Sequence, residues 1–170
     1  MTDVSTPLSP DLPHSLIATR SEFHTALRYV FEQAASVGCR ELWLCDEDFA
    51  DWPLGERAVV EHFASWAASS RKLCLVARQF DEVSRRHARW VEWRRTWSHV
   101  VSCRANVEVG TGDFPTVLLA TGLLSVRLSD VERHRGRLSR ERADEIQCRE
   151  QIDAVLQRSE EAFPATTTGL

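Results

Sequence analysis

Two short apolar runs, ELWLC at residues 41–45 and KLCLVA at 72–77, are each the length of a strand and carry no charge beyond their first residue. Runs this continuous suit strands covered on both faces, as in a sheet with helices on either side. Between them, residues 56–69 place Val59, Phe63, Trp66 and Ala67 on one helical face. Strand, helix and strand in that order predict a crossover unit and a parallel pair.

The rest of the chain extends the pattern. Residues 16–18 form a short predicted strand, and Ser21 can cap a helix whose Phe23, Leu27, Val30, Phe31 and Ala34 recur at helical spacing until Gly38 ends it. A helical stretch follows at 81–97, then a weaker strand at 100–103. Two strands at 116–120 and 123–128 are joined tightly through Thr121 and Gly122, and a last helix at 140–159 buries Cys148, Ile152, Val155 and Leu156. The expected class is α/β: a mixed, largely parallel sheet flanked by helices, with the late strand pair adding antiparallel structure.

A chain of 170 residues supports one core and is too short for two ordinary domains. Residues 1–14, with three prolines, are expected to be a disordered leader, 15–160 the domain, and 161–170 a C-terminal tail that docks and then frays. The net charge of −4 gives no global sign of an obligate nucleic-acid binder, so any charge-driven function must be local. Positive charge is almost all arginine, with Lys72 the sole lysine. No apolar stretch approaches the roughly 18–20 residues that cross a bilayer, and no membrane association is expected. The opening MTDVSTPLSPDLPHS lacks a basic start followed by an apolar run, which predicts a cytoplasmic protein without a signal peptide. Cys39, Cys45, Cys74, Cys103 and Cys148 are odd in number and form no CxxC pair, so they are expected to be buried hydrophobes in a reducing compartment.

This order of elements resembles one half-domain of the phospholipase D-like fold, over roughly residues 15–160. ELWLCDEDFADWPLGERAVV, RRTWSHVVSCR and QIDAVLQRSEEAFPATTTGL are also similar to a bacterial family of uncharacterised domains. Active members of the phospholipase D superfamily use the histidine of a His-x-Lys-x4-Asp motif as nucleophile. The comparable strand here, PTVLLATG at 115–122, offers none of the three residues, and Ser70 stands two positions before Lys72. What the resemblance implies is a degenerate half-domain with no catalytic residue.

Three constellations remain. Asp46, Glu47 and Asp48 follow an apolar strand, where open α/β sheets bind ligands. The pair resembles the Asp-x-Asp start of haloacid dehalogenase-type phosphatases, which would make Asp46 the nucleophile and Asp48 the acid; the alternative is a solvated loop whose acids cap the next helix. Trp90, Trp93 and Trp97 fall at i, i+3 and i+7, with Arg89 and Arg95 around them. Such a stripe serves either as core packing or as a surface for a protein partner, a second copy or nucleic acid. Arg133, Arg135 and Arg137 open a run of five arginines in ten residues leading into a helix start, with Ser139 as a possible cap: an anion-binding segment or a solvated loop.

No histidine set has metal-ligand spacing and no nucleotide-binding motif occurs, so no metal or cofactor is assigned. The leading functional expectation is a non-catalytic module for protein interaction or self-association. The alternative is a nucleic-acid or phosphate-binding module using Arg133, Arg135 and Arg137 with Arg89 and Arg95; the third reading is a Mg-dependent phosphohydrolase built on Asp46 and Asp48.

Overall fold

A computed structural model describes residues 14–68 and 70–164. Its first strand, β1 (His14–Ile17), leads into helix α1 (Arg20–Val37). Thr19, rather than Ser21, caps this helix: its hydroxyl accepts from the Glu22 N–H at 3.1 Å, while the Glu22 carboxylate accepts from the Ala18 N–H at 2.8 Å. Gly38 closes it at φ 92° and donates to the Ala34 carbonyl, as its position in the sequence predicts.

Then follow β2 (Glu41–Cys45), α2 (Arg57–Trp66) and β3 (Lys72–Ala77). The expected helix at 81–97 is two: α3 (Asp81–Arg86) and α4 (Ala88–Thr96), broken at His87, whose ring donates to the Phe49 carbonyl at 2.8 Å. After β4 (Val101–Ala105) come β5 (Val117–Ala120), β6 (Leu124–Asp130) and β7 (Arg135–Ser139), then α5 (Arg142–Leu156) and a two-residue β8 (Glu160–Glu161).

The strands form one sheet in the order β1-β7-β6-β5-β2-β3-β4-β8. Only β2-β3 and β3-β4 pair parallel; the other five pairings are antiparallel. The sheet is therefore mixed, as expected, but mostly antiparallel rather than largely parallel. The two parallel pairs are joined by crossovers through α2 and the α3-α4 pair, long enough for a parallel return, whereas short turns join β5, β6 and β7 as antiparallel neighbours.

Side chains alternate across the sheet. Leu42, Leu44, Leu73 and Leu75 join the larger core beneath α1 to α4, with Phe23, Leu27, Phe63 and Trp90. Trp43, Cys45, Cys74 and Val76 face the other way, onto Cys148, Ile152 and Val155 of α5. All five cysteines are buried and unpaired, and burial pushes the Cys103 thiol up to about 12, so these thiols pack rather than react. The C-terminal segment docks where Phe163 stacks on Phe80, centroids 5.5 Å apart and planes 7° off parallel. The expected frayed end and all of the expected leader except His14 lie outside the described residues. Among the described residues no helix is long and apolar enough to cross a membrane.

Candidate functional site

Arg133 lies in the β6-β7 turn, whereas Arg135 and Arg137, read as part of a possible solvated loop, belong to strand β7. Leu138 turns into the larger core, so the alternating positions Arg135 and Arg137 stand on the α5 side of the sheet. Register adds a residue that the sequence reading missed. Arg127 of β6 pairs with Arg137, and on Arg137's other side lies Leu16 of β1. Helix α5 packs over β3, β5 and β6, and beyond it, at the β1 edge, Leu16 is 83% exposed.

Gly136 makes the arrangement possible. The β6-β7 register shifts between Leu128 and Asp130, and a Cβ at Gly136 would stand 2.0 Å from the Arg127 carbonyl oxygen and 2.7 Å from the Leu128 Cα. Only glycine fits against this irregularity, which sets the exit of Arg135. Carboxylates partly neutralise the row, Arg137 lying 3.3 Å from Asp144 and Arg133 pairing with Asp130 at 3.1 Å, while Arg127 donates to the uncharged Gln147 at 3.2 Å. Among the described residues no carboxylate lies within ion-pair distance of Arg135. Ser139 does not cap α5, whose N-cap is Glu141; its hydroxyl donates to Asp144 at 2.5 Å and accepts from the Glu141 N–H at 2.9 Å, bracing the entry to the helix.

The Trp/Arg segment lies on the opposite face of the sheet. Trp90 is 0% exposed at the centre of the larger core, which removes it as an interaction surface. Trp93 is half-buried against Phe63, centroids 5.3 Å apart, and Trp97 is half-buried beside His99. Helical spacing here delivers packing. Arg89 donates to the Gly55 carbonyl at 2.9 Å and Arg95 pairs with Glu92 at 3.3 Å, so neither joins the β6-β7 arginines.

The acidic loop lies at the carboxyl end of β2. Asp46 accepts from the Thr116 hydroxyl at 2.6 Å and from the N–H groups of Phe49 and Asp48 at 2.9 and 3.3 Å. Burial pushes its carboxyl above the usual range, only partly opposed by these donors. Asp48 accepts from the Ala50 N–H at 3.0 Å. Asp46 is thus a turn-forming residue, with one oxygen engaged by its own loop and the other by Thr116. Among the described residues no three His, Cys, Asp or Glu side chains converge as a ligand set.

Nearby, Asp51 ties its own loop to helix α1 and the β6-β7 turn. Arg20 of α1 donates to its carboxylate at 2.6 Å, His134 in the β6-β7 turn lies 2.7 Å from the other oxygen, and His24 donates to its carbonyl at 2.5 Å. His134 holds a left-handed φ of 54° to make its contact. This knot fixes the hairpin that presents Arg133 and Arg135, and it borders a cleft of about 550 Å3 lined by Asp46, Asp48, Trp52, Phe114 and Glu132.

No protein-family model and no curated protein matches this chain. Among solved structures it is similar to TrmBL2, an archaeal chromatin protein whose structure is described as showing a novel mode of DNA binding. The TM-score is 0.62 at 10% sequence identity. The match covers 94% of this chain and 56% of that one, so this chain spans little more than half of TrmBL2. At that identity the likeness is one of fold.

Proposed function

We propose that this chain is a non-catalytic nucleic-acid-binding module that grips phosphates through the β1-β7-β6 end of its sheet. One observation carries the reading: Arg127, Arg135 and Arg137 stand on one sheet face at the margin of α5, whose Gln147 and Asp144 reach Arg127 and Arg137, held in register by the β6-β7 pairing. Guanidinium groups on a fixed backbone suit phosphate oxygens, and such contacts position a protein without reading sequence. The neighbour of like fold is described as a DNA-binding chromatin protein, which agrees with this chemistry. In this proposal the chain is a phospholipase D-like half-domain that lacks the nucleophile and keeps an anion grip. A protein-interaction or self-association module is the competing reading. With Trp90 buried it retains the β1 edge, where Leu16 is exposed.

Mobility-shift titration of the full chain with single- and double-stranded probes tests the proposal. Binding at low salt that weakens on adding salt is expected. No binding to either probe at low salt would sink it.

A further inference from the structure

After α5 the chain rounds the β4 edge of the sheet as β8 and reaches the opposite face, where Phe163 stacks on Phe80. Leu73 donates to the Val100 carbonyl and Asn106 to the Ala77 carbonyl. Alternate residues of β4 therefore bond to β3, and Cys103 and Ala105 turn their N–H and C=O groups outward. Among the described residues this short strap is what covers them: Glu160 and Glu161 pair with Ala105 and Arg104, and Ala162 donates to the Cys103 carbonyl at 3.0 Å. A bare strand edge is a template for another chain, and a two-residue strand of glutamates closes it without presenting a long edge of its own.

The strap is fastened at its two ends and loose between them. At the near end Arg104 donates to the Ser159 hydroxyl at 2.7 Å and to the Ser159 carbonyl at 2.8 Å. At the far end Arg94 donates to the Phe163 carbonyl and sits over the ring that stacks on Phe80. Between these ends Glu160 and Glu161 are exposed, and a cavity of about 610 Å3 lies beside Val101, Cys103, Ala162 and Pro164. The far catch is imperfect. Phe163 holds a left-handed φ of 51°, which a residue with a Cβ seldom adopts, and the Arg94 Nε is buried without a hydrogen-bond partner. Opening relieves both, while the Arg104 bonds keep the base of the strap in place. We infer that residues 160–164 are a latch that swings about Ser159 while the sheet stays folded, uncovering the outer edge of β4 and the Cys103 thiol. When the latch is closed Cys103 is only 2% exposed. This device is independent of the β6-β7 arginines and does not rest on the nucleic-acid reading.

The test is alkylation of the full chain by iodoacetamide under native conditions, without urea and in low urea, with each cysteine followed by mass spectrometry. Cys103 is expected to react ahead of Cys45 and Cys148, both 0% exposed, and its rate should change little with urea while theirs rise steeply. Phe163→Ala removes a half-buried stacked ring and should speed Cys103 alkylation by about tenfold, leaving Cys45 and Cys148 unchanged. One common rate and one urea dependence for the three thiols would mean that Cys103 is reached only by global unfolding, which overturns the proposal. So does a Phe163→Ala chain in which Cys103 reacts no faster, or in which all three thiols accelerate equally.

Discussion

Gly136 and Asp51 are the residues on which the geometry of the arginine face depends. The backbone of β6 occupies the space that any side chain at Gly136 would need. Gly136→Ala is expected to lower stability by roughly 1–3 kcal/mol, the range of overpacking a filled site, as measured by urea denaturation. A loss within 0.5 kcal/mol of zero would mean that the bulge relaxes freely. Burial alone would push the Asp51 carboxyl up, but the donors His134 and Arg20 together outweigh it and hold it below the usual carboxylate range. A depressed carboxylate contributes stability that is complete above its unfolded value and is lost as pH falls through its folded value. Its side chain is 38% exposed, so solvent screening keeps the contribution at or below about 1 kcal/mol. Asp51→Asn should therefore melt below wild type at pH 6, and the gap should narrow by pH 3. A gap that is constant or wider at pH 3 contradicts the assignment.

At the scale of elements, helix α4 and the β6-β7 hairpin resolve the two arginine-rich segments in opposite ways. Trp90 fills the core, and its truncation to alanine should cost about 3–5 kcal/mol, against about 1 kcal/mol for the half-buried Trp97. Equal losses in chemical denaturation would contradict the burial described here. The stripe's spacing in the sequence named the helix correctly but not its role, because the i, i+3, i+7 pattern is the same for a core face and a docking face. Strands β2 and β3 were legible from their unbroken apolar runs, and the β5-β6 turn from Thr121 and Gly122, whose φ is 74°. Strand β7 was not. With arginine at two of its five positions and glycine between them, its only strand signal is the alternation ending in Leu138, and charge density masks it. Arg127 escaped notice for a related reason: its closeness to Arg137 is a matter of register, which no local pattern encodes.

For the molecule as a whole, topology separates the charges that composition averages to −4. The carboxyl end of β2 carries Asp46, Glu47, Asp48 and Asp51, while the β1-β7-β6 end of the α5 face carries Arg127, Arg135 and Arg137. Sheet order explains why the sequence hid this: β7 lies between β1 and β6, far from the parallel strands that dominate the apolar pattern. The direct test compares two charge-matched double variants, Arg135→Ala/Arg137→Ala and Arg89→Ala/Arg95→Ala, by fluorescence anisotropy with labelled DNA across a salt series. If the sheet face grips phosphates, the first pair weakens binding and lowers the slope of log affinity against log salt by about 2, while the second pair leaves the slope unchanged. Equal effects of the two pairs, or an unaltered slope in the first, would contradict the claim that this face is the nucleic-acid site.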